Sequence, residues 1–76
     1  MNKLELIHEI KEMLQTEMEL TEELQLSDIE EWDSLAVIGT ISLFDQLFSI
    51  SVSSRQVNDC QSVNDLIKLV DAKLEL

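Results

Sequence analysis

Glu31-Trp32-Asp33-Ser34-Leu35 marks the point where this chain changes character, from a stretch dense in carboxylates to an apolar pattern of helical period. Leu35, Ile38, Ile41, Phe44 and Phe48 follow at spacings of three, three, three and four, which predicts a helix from Ser34 to about Phe48 with these residues on one face. Val37, Ile38, Thr40 and Ile41 are β-branched and lower helix propensity, so a strand is the competing local reading. The spacing and the aspartate ahead of it decide for helix, because the short side chain of Asp33 is a natural N-cap. Ser34 then falls in the first helical turn, where free N–H groups and the positive end of the helix dipole favour a bound or attached phosphate.

Upstream, Leu4, Ile7, Ile10, Met13 and Leu14 form an apolar stripe that predicts a first helix over residues 3–16, with Glu5, Glu9 and Glu12 off the stripe. Residues 17–33 show no sustained period. Leu20, Leu24, Leu26 and Ile29 are expected to dip inward, and Ser27-Asp28-Ile29-Glu30 matches a capping box that would start a brief helical turn. A loop of this length in so small a domain is usually functional. Downstream, Ile50 and Val52 alternate with serines but have no evident partner strand, so an extended segment inserting both into the core is expected. Residues 54–59 suit a short helical turn with Val57 inward. Ser62 caps a last helix with Asp65 in the capping-box position, and Leu66, Ile67, Leu69, Val70 and Leu74 supply its buried face. The expected architecture is all-α, a small four-helix bundle of three main helices and one short one.

The chain has 76 residues, no proline, one glycine and one cysteine. That length suits one domain, residues 1–76, with one small core near the lower limit at which burial offsets chain entropy. No linker-like or repeated segment interrupts it. No signal-peptide pattern opens it and no apolar run approaches about 18 residues, so a soluble, cytoplasmic monomer is expected. A lone cysteine, Cys60, fits a reducing compartment.

The net charge of −11 argues against nucleic acid and anionic membrane as partners and favours basic protein surfaces. No Lys or Arg occurs between Lys11 and Arg55. Half of the 16 acids, namely Glu17, Glu19, Glu22, Glu23, Asp28, Glu30, Glu31 and Asp33, lie in residues 17–33. The negative field is therefore concentrated in the segment leading to Ser34, where it would steer basic surfaces toward the serine. The plainer reading of the same charges is a solvated loop.

Catalysis fares poorly. A nucleophilic Ser34 needs a base, the only histidine is His8 on the first helix, and no Gly-x-Ser-x-Gly elbow surrounds the serine. Cys60 is more plausible as a packed side chain than as a partner of His8. Glu22, Glu23, Glu30 and Glu31 lack the spacing and glycine of a calcium loop, so no metal site is expected.

Asp33-Ser34-Leu35, near the middle of a small acidic chain between a long first helix with its loop and two further helical segments, resembles the signature of acyl carrier proteins. The resemblance implies that Ser34, flanked by Asp33 and Leu35, carries a covalent 4′-phosphopantetheine arm. A holo-carrier synthase, that is, a phosphopantetheinyl transferase, would install it from coenzyme A with magnesium. The arm's thiol would hold acyl groups as thioesters for loading and processing enzymes, so the chain is a carrier and not an enzyme. Leu35, Val37, Ile38, Asp45, Glu30 and Glu31 are the expected partner-binding residues.

The chain departs from that family in the helix after the serine, which carries one acid, Asp45. Ala36, Gly39, Ser42 and Gln46 stand where carriers of bacterial fatty acid synthesis commonly have acids or, at Ser42, a methionine. A carrier of a specialised fatty acid, polyketide-like or secondary pathway is expected; the alternatives are an aminoacyl or peptidyl carrier, or an acidic helical module that binds a basic partner without modification. Gly39 suggests close approach of a partner or the arm, or simply a tolerated exposed glycine. Trp32 suggests an anchor for the turn more than a guide for the arm. A core of Ile41, Phe44, Phe48 and Leu66 would suit an enclosed acyl chain, unless the phenylalanines fill it.

Overall fold

The computed structural model describes residues 1–75. Four α-helices run in chain order: α1 (Lys3–Leu14), α2 (Ser34–Phe48), α3 (Ser54–Asn58) and α4 (Val63–Lys68), with single 3₁₀ turns at Leu26–Asp28 and Asp71–Lys73. Among the described residues there is no β-strand, only an isolated antiparallel bridge between Gln25 and Ser62. The fold is all-α, as expected.

The start of α1 is fixed by a capping box absent from the sequence reading: Glu5 N–H donates to Asn2 Oδ1 at 2.8 Å and Asn2 N–H donates to Glu5 Oε1 at 3.1 Å. Its buried residues are Leu6, Ile10 and Leu14, at four-residue intervals. Leu4, expected in the stripe, is 78% exposed. It stands two residues from Leu6, about 200° away around the helix, and so faces solvent.

The register of α2 corrects a larger expectation. Its buried residues are Ala36, Val37, Thr40 and Phe44, whereas Leu35 is 75% and Ile38 62% exposed. Each step of three residues falls about 60° short of a full turn. Three such steps separate Leu35 from Phe44, which puts them on opposite sides of the helix. Ile41 and Phe48 lie between, half-buried against the core. Thr40 satisfies its buried hydroxyl locally, donating to Ala36 O at 2.8 Å. The rings of Phe44 and Phe48 sit 6.4 Å apart, tilted by 55°, so both expected core aromatics pack on each other.

The long loop is tied down by backbone. Leu26 N–H donates to Gln61 O (2.8 Å), Val63 N–H to Leu24 O (3.0 Å) and Asn64 N–H to Glu22 O (2.9 Å), pinning the loop across the start of α4. Lys3 Nζ, 3.2 Å from Glu22 Oε1, adds a tie to α1. Leu20, Leu26 and Ile29 are buried, and Leu24 packs half-buried against them. The helical turn in this loop begins at Leu26, so Ser27 does not cap it; Gln25 precedes the turn and makes no side-chain cap bond.

Ser53 and Gln56 cap α3 reciprocally, and Val57 is fully buried. Val52 is buried and Ile50 half-buried, an extended insertion as expected. The Ser62–Asp65 box opens α4. Asp65 Oδ2 also accepts from Gln61 N–H at 2.9 Å, and this bond leads the causes that hold its carboxyl below the usual value. The last helix is shorter than expected: it ends at Lys68, with Leu66, Ile67 and Val70 buried and Leu69 and Leu74 half-buried.

The helix registers are checked by a pair of truncations. Leu66→Ala removes a fully buried side chain and is expected to cost about 2–5 kcal/mol in urea unfolding. Leu4→Ala removes an exposed one and should change stability by less than about 0.5 kcal/mol. Equal losses would contradict the assigned faces.

Candidate functional site

Asp33 is extended (φ −144°, ψ −169°) and its Oδ1 accepts from Ala36 N–H at 2.9 Å, while its carbonyl accepts the first helical bond from Val37 N–H at 3.1 Å. This leaves the Ser34 and Leu35 N–H groups as free donors at the head of a 15-residue helix. Ser34 is the first residue of that helix and is exposed, with Leu35 beside it and Ile38 one turn on. A hydroxyl, free donors and an apolar patch thus meet at one helix end.

The expected partner-binding residues divide. Leu35 and Ile38 are exposed within about one turn of Ser34 on α2, and Glu30, in the loop before it, is exposed as well. Asp45 is exposed too, but eleven residues along α2, about 16 Å from Ser34 along the axis. Val37 is only 8% exposed and belongs to the core, so it offers a partner no surface. Glu31 is half-buried, and its Oε1 is closed off from solvent with no hydrogen-bond partner among the described residues.

Between the end of α1 and the start of α2 lies a cleft of about 340 Å³. Met13, Leu14 and Gln15 wall one side, Leu35, Ala36 and Gly39 the other, with Glu31 and Asp33 also lining it. Its size is at the small end of small-molecule clefts, roughly 300–1,000 Å³. Gly39 helps shape it: a Cβ there would lie 2.8 Å from Met13 Sδ. The close approach signalled by this glycine is made by the chain's own Met13. The Trp32 side chain is half-buried against the core, the anchoring role expected of it, and its backbone N–H donates to Ile29 O at 3.0 Å.

The remaining reactive groups stand apart in kind. His8 Nε2 lies 3.3 Å from Glu12 on the exposed side of α1. Cys60 Sγ donates to Gln56 O at 3.3 Å, and burial, with Asp65 and Asp59 adding, pushes its thiol up to about 11. Among the described residues no group of three or more His, Cys, Asp or Glu is placed to hold a metal. No helix among them is long and apolar enough to cross a membrane.

A structural comparison bears out the all-α fold. A solved structure from Mycobacterium tuberculosis, described as "a putative acyl carrier protein", matches with a TM-score of 0.75 at 27% identity, covering 92% of this chain and 96% of that one. No protein-family model matches the chain, and no curated protein does. The chain therefore shares the fold of that carrier over nearly its whole length, and the similarity supports a carrier role.

The environment of Cys60 predicts slow alkylation. Raising the thiol from 9.0 to about 11 cuts the thiolate about a hundredfold. The greater nucleophilicity of a more basic thiolate returns part of this, with a Brønsted coefficient of about 0.4–0.5. Iodoacetamide at pH 8 should label the folded chain about tenfold more slowly than the urea-unfolded chain; equal rates would contradict the assignment.

Proposed function

We propose that Ser34 accepts a 4′-phosphopantetheine arm from coenzyme A and that the chain carries acyl groups on it as thioesters, catalysing no reaction itself. The observation that carries this reading is the exposed Ser34 at the first position of a capped α2, in a fold shared with the mycobacterial protein. The residues present fit the group. Ser34 is exposed, and the adjacent N–H groups and helix dipole favour the phosphodiester's charge. When bound, the arm supplies a flexible thiol on which an acyl group can be held.

The chain's own part is to present the serine. Asp33 fixes the start of α2 and with it the outward direction of Ser34. In the transfer the Ser34 oxygen bonds to the phosphorus that bears pantetheine, coenzyme A's pyrophosphate bond breaks and adenosine 3′,5′-bisphosphate leaves; the hydroxyl proton goes to the transferase, since His8, the chain's one imidazole, is on α1 and engaged with Glu12. The loop acids steer the encounter. Leu35 and Ile38 give the contact its apolar centre, with Asp45 the lone acid further along α2. This surface suits partners with an apolar groove and basic residues confined to the side facing the loop, and that pattern favours a specialised pathway over a general fatty acid cycle.

Intact-protein mass spectrometry tests the reading. Incubation with coenzyme A, magnesium and a broad-specificity transferase should add one phosphopantetheine to the wild-type chain and none to Ser34→Ala. No gain with several transferases would overturn the reading and turn the search to a basic partner of an unmodified acidic module.

The docking surface has its own test. Burying an isoleucine is worth about 1.5–3 kcal/mol, so Ile38→Asp should lower the transferase's kcat/KM at least about tenfold. Asp45→Asn should change it less than about threefold. The reverse order would place the docking centre further along α2.

A further inference from the structure

We propose that the trough between α1 and α2 seats an amphipathic helix of a partner protein. That helix carries Lys or Arg along the edge that meets α1, an apolar centre, and uncharged polar residues along the edge that meets α2. The surface lies apart from Ser34 and Ile38, and the proposal does not depend on the modification of Ser34.

A shallow cleft of about 430 Å³ opens along the middle of the two helices, lined from α1 by Glu9, Glu12 and Met13 and from α2 by Gly39, Ser42, Leu43 and Gln46. It shares Met13 and Gly39 with the cleft at the start of α2, so the two form one trough. Between Ala36 and Gln46 the trough follows α2 for about 15 Å, nearly three helical turns. Gly39 raises no side chain into it, and a Cβ there would lie 2.8 Å from Met13 Sδ. Met13 and Leu43, both half-buried, make its apolar floor.

The two rims differ in charge. On the α1 side Glu9 is half-buried and Glu12 exposed, three residues apart on one face. Among the described residues Glu9 has no ion-pair partner, and Glu12 meets only His8 Nε2, at 3.3 Å. On the α2 side Ser42 and Gln46 are exposed and uncharged. No Lys or Arg lines either cleft; Lys11, two residues from both Glu9 and Met13, stands about 200° round α1 from each. Cations three or four residues apart on a partner helix match the spacing of Glu9 and Glu12, and a half-buried carboxylate is screened less than a solvated one. Leucines of the same helix would cover Met13 and Leu43, with the unbranched Met13 adapting its shape. A groove between two packed helices has the form that takes the ridge of a third.

Ser34 stands about 140° round α2 from Gly39 and lines neither cleft. A helix in the trough therefore leaves the serine open, so that one partner can hold the chain while another acts on Ser34.

The test titrates the ¹⁵N-labelled, unmodified full chain with a synthetic helical peptide of about 14 residues, long enough to fill the trough after its ends fray. The peptide has a leucine stripe, lysines on one flank and glutamines on the other. The expected result is saturable amide shifts centred on Met13, Gly39, Leu43 and Gln46. Binding should weaken about fivefold in the Glu9→Gln/Glu12→Gln double variant, the loss of two partly exposed ion pairs. Asp59→Asn/Asp71→Asn, the same change in net charge at exposed positions outside the trough, should change it less than about twofold. A peptide with its lysines replaced by glutamates should not bind, a comparison that needs no variant of the chain. Shifts centred on Ser34, Ile38 and the acidic loop, equal losses in the two double variants, equal binding of the two peptides, or no shifts at about 1 mM peptide would each overturn the proposal. Because the chain is unmodified throughout, none of these outcomes bears on whether Ser34 accepts the arm.

Discussion

The hydrogen bond from Ala36 N–H to Asp33 Oδ1 sets the register on which the rest of the site depends. It ends the extended loop and starts α2 at Ser34. Once that start is fixed, a helical rotation of about 100° per residue assigns every side chain of α2. Ala36, Val37, Thr40 and Phe44 turn to the core, and Ser34, Leu35 and Ile38 turn out. Moving the start by one residue would rotate the whole helix by the same angle, burying polar groups and withdrawing the serine. Presentation of Ser34 and burial of Phe44 are thus consequences of the same cap.

A cap of this kind works only if the loop before it is held. In a chain of 76 residues little apolar area is available for that purpose. The backbone pairing of residues 22–26 with 61–64 does much of the work, and Leu20, Leu26 and Ile29 add buried anchors. The loop's carboxylates can therefore stay at the surface near the serine, where they repel one another but attract basic partners. Glu31 is the exception, turned partly inward with one oxygen closed off from solvent and without a partner among the described residues.

Much of this was legible in the sequence, and the failures have physical causes. Asp33, the short turn over residues 54–59 and the Ser62–Asp65 box are short-range signals whose geometry depends on a few neighbouring residues, and the bounds expected of α2 match those observed. The helix faces were less legible. A run of three-residue spacings looks periodic in sequence but drifts around a helix, so Leu35 and Ile38 were grouped with Phe44 although they point away from it. The ends of α1 and α2 carry no glycine signal because Gln15 and Ser49 take the left-handed conformation themselves, at φ 56° and 57°. The pairing across Gln25 and Ser62, and the cleft between α1 and α2, join residues distant in the chain and left no local trace beyond the helical glycine at Gly39.

The central claim is that Ser34, held out by the Asp33 cap, bears the arm. Fragmentation mass spectrometry of the chain purified from cells that make coenzyme A tests this most directly, because it reads both the chemical group and the residue that holds it. Phosphopantetheine on the peptide containing Ser34, and on no other serine, is the predicted result. An unmodified Ser34 peptide, or the group on a different residue, would contradict it.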